Sequence, residues 1–445
     1  MKKRMKQLAA LSMAALMAAS LAACGSSGGS SDGSSDSASK GGDDKEIVYW
    51  NIGTESPDKD VIDKAVEKFN SETKSGYHVT SVPTQNDTYK EKLVVAMSSG
   101  ECPDMYSSWS GGPMFEYIDS GYAQPIDDLF NNSDIKDKLM DAAIAQATYN
   151  DHIYAIPYQN VSLAGIFNKE MFEKYNLEEP KTLSDLENIC ATLKDNGITP
   201  FALANGSKWT GSMYFMCLAA RYGGLEPFQN AVAGEGKFTD DCFVKAGEKI
   251  QEWVNDGYFP EGVNSLSEDD GQAKQLMYQE TAGMLLCGSW YTGTFATDSK
   301  EFYQKVGWFP FPEIEGSDAD PTIQIGTVGD QFVSFNCTDD KLAAAFECAE
   351  DLLSDEVVDF EVESGKIPPI KGIEDKLKDP LTKEIVEAAN NAPEIQLWYD
   401  QYLAPSVATA HLDGLQEVFG LTKTPEEAQQ EMQDAMDEYL STKAE

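Results

Sequence analysis

Residues Asp151–Tyr175 read D-H-I-Y-A-I-P-Y-Q-N-V-S-L-A-G-I-F-N-K-E-M-F-E-K-Y, and Leu177–Phe201 continue L-E-E-P-K-T-L-S-D-L-E-N-I-C-A-T-L-K-D-N-G-I-T-P-F. Two apolar runs stand out, Ile153–Pro157 and Ser162–Phe167. Proline fixes φ and lacks a backbone donor, so Pro157 is expected to end the first strand rather than sit inside it. That leaves the amphipathic residues Tyr158, Gln159 and Asn160 at a break where the chain crosses between two bodies. A helix follows. Ser184 and Glu187 have the spacing of a capping box, Leu186, Ile189, Cys190 and Leu193 form an apolar stripe, and Asn196-Gly197 supplies the stop.

The run from Gly165 to Leu186, with Leu193–Leu203 after it, resembles the central signature of the family 1 extracellular solute-binding proteins. These are the sugar-capturing lipoproteins of ABC importers, distantly similar to maltose-binding protein. Members usually carry Y-N-K-x-x-F and then P-x-T-W-x-E-L; here Phe167 replaces the tyrosine and Leu183 the tryptophan. Further matches keep the family's order. Gly100–Tyr106 is similar to the family's G-x-x-P-D entry into a third strand, Ala282–Trp290 to A-A-M-x-x-x-G-x-W, and Val306–Pro312 to a second crossing between lobes. The resemblance spans Glu46 to about Leu440. It implies an α/β, two-lobed fold of the periplasmic-binding-protein type II kind, with an interlobe ligand cleft and several hinge crossings. Lobe one is expected to comprise 46–158 plus 313–371, and lobe two 159–312 plus 372–445.

The N-terminus points to export. Lys2, Lys3, Arg4 and Lys6 precede an apolar core, Leu8–Leu21, that is too short to span a bilayer. Leu21-Ala22-Ala23-Cys24 resembles a bacterial lipobox, so 1–23 reads as a lipoprotein signal peptide and Cys24 as the lipidated residue. Residues 24–45 are almost entirely Ser, Gly and Asp and read as a flexible tether. The resemblance places such a protein on the extracellular face of the bacterial cytoplasmic membrane, held by its lipid anchor.

With 75 acidic against 34 basic residues, the chain carries a formal charge of -41. Phosphate-backbone binding needs clustered cations, so nucleic acid is excluded as a partner. An anionic ligand is disfavoured at long range, whereas a neutral sugar is not penalised. Beyond Cys24 there are seven cysteines, an odd number without any C-x-x-C spacing. They read as small core hydrophobes. At 445 residues the chain exceeds what one core supports.

From Glu46 the pattern is strand, helix, strand, helix, strand: Glu46–Trp50, then Val61, Ile62, Ala65, Val66 and Phe69 on one helix face, then His78–Val82, then Tyr89, Leu93 and Met97. Such spacing implies parallel pairing with ligand-facing loops beyond the strand ends. Gly326–Gln331 reads as a glycine-rich loop leading into a strand at Phe332–Asn336, and Thr424 with Glu427 caps the last helix.

A sugar site needs aromatic plates for C–H faces and planar polar groups for paired hydroxyls. The candidate plates are Trp109, Trp209, Trp290 and Trp398, with Tyr158 at the crossing. Trp50 and Trp253 lie in strand and helix patterns and read as core; Trp308 fits either role. The polar candidates are Glu55, Asn86, Asp87, Gln159, Asn160, Asp330, Gln331 and Asp400, while Asp104 is expected to organise a strand end. Several plates favour an oligosaccharide over a monosaccharide. The three histidines show no paired spacing, so neither a metal site nor a cofactor is expected. There is no G-x-S-x-G elbow, P-loop or dinucleotide fingerprint, and the chain reads as a non-enzyme. The resemblance implies a monomer that delivers its carbohydrate to the transmembrane subunits of an ABC permease, with a separate ATPase. The alternatives are a secreted glycoside hydrolase using a carboxylate pair, and a surface adhesin lipoprotein.

Overall fold

The structure, a computed structural model, describes residues 45–443. The leader, Cys24 and nearly all of the tether lie outside the described residues. The chain begins with β1 (Glu46–Asn51), α1 (Asp58–Glu72), β2 (His78–Pro83), α2 (Asn86–Ser99), β3 (Met105–Ser108) and α3 (Gly112–Asp119). Both β2 and β3 pair with β1 in parallel. Val61, Ile62, Ala65, Val66 and Phe69 are the buried face of α1, at the spacing that a 3.6-residue turn requires. The parallel pairing brings the carboxyl ends of these strands, at Asn51, Pro83 and Ser108, to one edge of the sheet.

The next elements are β4 (Ala155–Asn168), α4 (Leu183–Asp195), β5 (Thr199–Phe201), α5 (Trp209–Gly223), α6 (Asp241–Asn255), β6 (Ala282–Gly288), α7 (Trp290–Asp298) and β7 (Val306–Phe309). They are followed by β8 (Gln324–Phe335), α8 (Asp339–Asp351), α9 (Tyr399–Tyr402), α10 (Pro405–Phe419) and α11 (Pro425–Lys443). The large sheet runs β2-β1-β3-β8-β4-β6-β5, with β7 also paired to β4. Strand β8 is antiparallel to both β3 and β4.

Three expectations change here. The apolar runs around Tyr158 form a single strand of 14 residues, not two strands with a break. At Pro157 this strand has a sheet neighbour on one side only, where a residue lacking N–H is tolerated. Similarly, Gly326–Gln331 is no loop but part of β8, whose register against β4 shifts between Thr327 and Phe332. Gly326 makes that possible, since a Cβ there would sit 2.5 Å from the Val161 carbonyl oxygen. The cap of α4 also moves. Thr182 and Asp185, not Ser184 and Glu187, form the box, with Asp185 N donating to Thr182 Oγ1 at 3.1 Å and Thr182 N to Asp185 Oδ2 at 3.0 Å. Starting the helix there buries Leu183, and Glu187 is used elsewhere, accepting from Trp253 Nε1 at 3.1 Å and Lys249 Nζ at 2.8 Å.

Hydrophobic burial is divided between two main cores. Ile47, Tyr49, Phe69, Met105, Val333 and Phe346 belong to the first. Phe201, Phe215, Trp253, Met284, Val407 and Met432 belong to the second. Among the described residues only the long strands serve both: β4 gives Ile156 and Tyr158 to the first core and Val161 to Ile166 to the second, while β8 gives Val333 to the first and Ile325 to the second. Trp253 is fully buried, as its helical pattern predicts. All seven described cysteines are free, and six of them are buried. Asp104 receives Val48 N at 2.9 Å and pairs with Lys341 at 2.6 Å, so it does order a strand end. Many lysines are committed to carboxylates at or near the surface, among them Lys305 to Glu170 and Glu280, and Lys68 to Glu72 and Asp351.

Arg221 is an exception among the cations. It is buried on α5, where Nη1 donates to the Ile323 carbonyl at 3.0 Å and Nη2 to that of Phe311 at 3.0 Å. The guanidinium thereby ties the 311–323 segment to the second core. Arg221→Ala leaves two buried carbonyls unpaired. The unfolding free energy, measured by urea titration, is expected to fall by about 3 kcal/mol; a change within about 0.5 kcal/mol would show that the segment is held by other contacts.

Candidate functional site

Between the two cores lies a cavity of about 200 Å3. Its walls are built from both sides. The loop after β1 gives Ile52, α2 gives Asn86 and Lys90, and the residue after β3 is Trp109. The second core gives Trp209, Met213 and Met216 from α5, Trp290 from the start of α7, and the acidic pair Glu268–Asp269. Asp330 and Gln331 come from the irregular part of β8, and Trp398, Asp400 and Gln401 from α9 and the residue before it.

Two of the tryptophans are fixed by polar partners. Trp398 Nε1 donates to Asp330 Oδ1 at 2.9 Å, and Trp209 Nε1 to Asp87 Oδ1 at 3.1 Å. The Trp209 and Trp290 rings are 6.0 Å apart and inclined by 59°, two walls of a corner rather than a stack. Trp290 lies against the backbone of Gly288, where an added Cβ would come within 1.8 Å of the indole. A G-x-W sequence is therefore needed to place this ring. Lys90 Nζ sits 4.9 Å from the centre of the Trp109 ring and 3.7 Å from Asp400 Oδ2.

Charge within the cavity is mostly paired. Lys366, almost fully buried, is ion-paired with Asp58 at 2.6 Å. Burial pushes the Asp330 carboxyl up to about 6, against the opposing hydrogen bond from Trp398. Glu268 is half-buried and accepts from the Tyr291 hydroxyl; burial first, then the neighbouring Asp87 and Asp269, push it up to about 7. Asp269 is raised for the same reasons. Direct bonds also join the two sides of the cleft: Gln85 Nε2 to the Asp269 carbonyl at 2.8 Å, Asp87 N to Asp269 Oδ2 at 3.0 Å, and Lys274 Nζ to Glu55 Oε2 at 2.8 Å.

Of the residues expected from the sequence, Asn86, Trp109, Trp209, Trp290, Asp330, Gln331, Trp398 and Asp400 come together around this cavity. Glu55 lines an adjoining recess with Asn86 and Trp290, and Asp87 stands behind Trp209 as its partner. Tyr158, Gln159 and Asn160 do not reach the cavity. Tyr158 is buried in the first core with its hydroxyl on Gln331, Gln159 is buried within β4, and Asn160 Oδ1 accepts from Gly329 N at 2.7 Å. Because the strand is continuous there, these residues organise β4 and β8 instead of lining the cavity. Trp308 lies in a separate recess with Tyr303, its Nε1 on Glu384. Sequence reasoning missed Asp58, Lys90, Met213, Met216, Glu268, Asp269, Lys366 and Gln401. The methionines carry a core-like helical spacing, and Glu268–Asp269 sits in an acidic run that reads as solvated surface. Among the described residues no group of His, Cys, Asp or Glu is placed to hold a metal, and no helix is long and apolar enough to cross a membrane.

Two cores joined by paired long strands, with an aromatic and polar cavity between them, define a two-lobed α/β receptor of the type II periplasmic-binding class. The family model for bacterial extracellular solute-binding proteins matches residues 53–359, more than half of the chain, and the protein belongs to that family. An uncharacterized ABC transporter extracellular-binding protein, PH1214, from Pyrococcus horikoshii is 28% identical over 271 residues, 59% of each chain. The chain thus spans about three-fifths of that curated relative. A solved structure described under xylan utilization by Caldanaerobius polysaccharolyticus superposes with a TM-score of 0.81 at 30% identity, covering 87% of this chain and 99% of the other. A chitin oligosaccharide binding protein gives the same TM-score at 24% identity, covering 88% and 98%.

The raised carboxyls make stability depend on pH. Glu268 keeps its proton in the folded state where the unfolded chain has lost it. Its contribution is therefore complete below about pH 4.5 and is lost as pH rises through about 7. Glu268→Gln removes this dependence. Urea unfolding across that interval is expected to show the variant gaining on the parent as pH rises; a constant difference would mean that Glu268 titrates normally.

Proposed function

We propose that this protein is the substrate-binding component of an ABC importer and that its cargo is a carbohydrate, an oligosaccharide rather than a monosaccharide. The observation that carries this reading is the cavity wall itself: Trp109, Trp209, Trp290 and Trp398 around one space, interleaved with Asn86, Asp330, Gln331, Asp400 and Gln401. Aromatic faces suit sugar C–H surfaces, and amides and carboxylates suit vicinal hydroxyls. The family supports the transport role, and the described xylan context of one similar structure makes xylo-oligosaccharides a first choice among cargoes.

In this reading the lobes follow the two cores: the boundary expected at 313 moves to within β8, because Arg221 and Ile325 hold 311–325 to the second core, so lobe one is 46–158 plus roughly 328–371 and lobe two 159–327 plus 372–445, and ligand drives closure by touching both. The closed monomer presents itself to a membrane permease, whose separate ATPase supplies energy. Cys24 carries the lipid that holds the protein at the outer face of the cytoplasmic membrane, with 1–23 removed. No catalysis is assigned. The five cavity carboxylates are each engaged, Asp58 by Lys366, Asp330 by Trp398, Glu268 by Tyr291, Asp269 by the Asp87 N–H and Asp400 by Lys90, which argues against a free acid–base pair for glycoside hydrolysis.

The test is a thermal-shift screen of the chain from Cys24 onward against xylo-, malto- and chito-oligosaccharides, with amino acids and short peptides as controls and chromatography of the sugars afterwards. A saturable shift with one glycan class and no product is the expected result. Cleavage would replace the proposal with a hydrolase, and no shift with any sugar would remove carbohydrate as cargo. With a cargo in hand, Trp290→Ala is expected to weaken binding by about 1–3 kcal/mol while the fold survives. Unchanged affinity would take Trp290 out of the site.

A further inference from the structure

A second cavity, of about 570 Å3, shares Lys90, Trp109, Asp400 and Gln401 with the cleft. It is nearly three times larger than its neighbour and chemically different. Its walls come from α2, α3 and α10, with Leu93, Met97, Met114, Tyr117, Ala408 and Leu412 as principal apolar groups. Apart from the shared Lys90 and Asp400, Glu116 is its only charged residue among the described residues. Three of its hydroxyls are already committed within the protein. Ser98 Oγ donates to the Val94 carbonyl at 2.8 Å, Thr409 Oγ1 to that of Pro405 at 2.8 Å, and Ser108 Oγ lies 2.8 Å from Ser334 Oγ. Away from the shared rim the other polar side chains of the lining are Glu116, Tyr117, Ser120 and Tyr122, and a sugar ring set against the Leu93, Met97, Met114, Ala408 and Leu412 wall would leave hydroxyls unpaired, at a cost that burial of its C–H faces does not offset. An aromatic ring or acyl group has no such penalty and gains from leaving water.

We propose that this cavity receives an aryl or acyl substituent of the glycan held in the cleft, so that the preferred ligand is a substituted oligosaccharide rather than a bare one. The proposal rests on the carbohydrate reading above. The shared rim supports one continuous ligand: Lys90 stands 3.7 Å from Asp400 and 4.9 Å from the Trp109 ring centre, a cation at the junction for the ester or glycosidic oxygen that joins the two parts.

Titration calorimetry on the same protein tests this. Xylobiose, chitobiose and maltose are compared as bare sugars, as 4-nitrophenyl glycosides and as acetyl or feruloyl esters. Xylotriose, chitotriose, maltotriose and 4-nitrophenol alone serve as controls. At least one substituted form is expected to bind about tenfold more tightly than its bare parent, from burial of the added apolar surface. Val94→Trp and Thr409→Trp place bulk at exposed positions of the cavity wall. Both are expected to abolish the gain and leave the bare sugar's affinity unchanged. If a bare sugar binds and no substituted form improves on it, the proposal is overturned while the carbohydrate reading stands. Equal gain from the bare trisaccharide, or binding of 4-nitrophenol alone as tight as that of its glycoside, also overturns it. Failure of every sugar, bare or substituted, overturns the carbohydrate reading itself.

Discussion

From Ala155 to Asn168 the chain runs unbroken from the first core into the second, and Gln324–Phe335 runs antiparallel beside it. Backbone hydrogen bonds along this pair cannot be given up cheaply in a buried setting, so the two cores are tied at a defined spacing. The ladder is regular at both ends and irregular between Thr327 and Phe332. Asp330 and Gln331 belong to that irregular step, and both line the cleft. A perfectly regular pair would have spent their positions on ordinary alternation between faces. The site therefore begins as a defect in register, made possible by a glycine at 326.

The remaining walls are assembled around that step by polar anchoring of aromatic rings. Asp330 holds Trp398 and Asp87 holds Trp209, each through the indole N–H. This satisfies the one donor a tryptophan has and commits the ring to a single orientation. The buried Asp330 costs free energy to ionise, as its raised pKa records. That cost is accepted at a position where a rigid aromatic plate is of use.

Much of this was legible in the chain. The helix and strand periodicities around Glu46–Met97 translate directly into β1, α1, β2 and α2, because each element buries one face against a neighbour close in sequence. All four candidate tryptophans reach the cavity, and Gly- or Asn-containing turns beside Trp109, Trp209 and Trp290 mark where helices begin. What failed depended on distant partners. Pro157 could sit inside β4 because the sheet is one-sided there, a fact about strands more than a hundred residues away. Met213, Met216 and Lys366 look like core or surface by local pattern, and only packing of α5 and the 366 region against the cleft gives them a wall to form.

The commitment of lysines to near-surface carboxylates has a further consequence for the medium in which the protein works. Each exposed pair contributes at most about 1 kcal/mol and weakens as ions screen it. Acidic residues nevertheless outnumber basic ones by 75 to 34, so most carboxylates have no lysine or arginine to pair with one to one, and their mutual repulsion acts over a Debye length of roughly 8–10 Å. Screening relieves that larger repulsion more than it erodes the pairs. Brackish surroundings thus consolidate the folded chain, and dilution with fresh water loosens it.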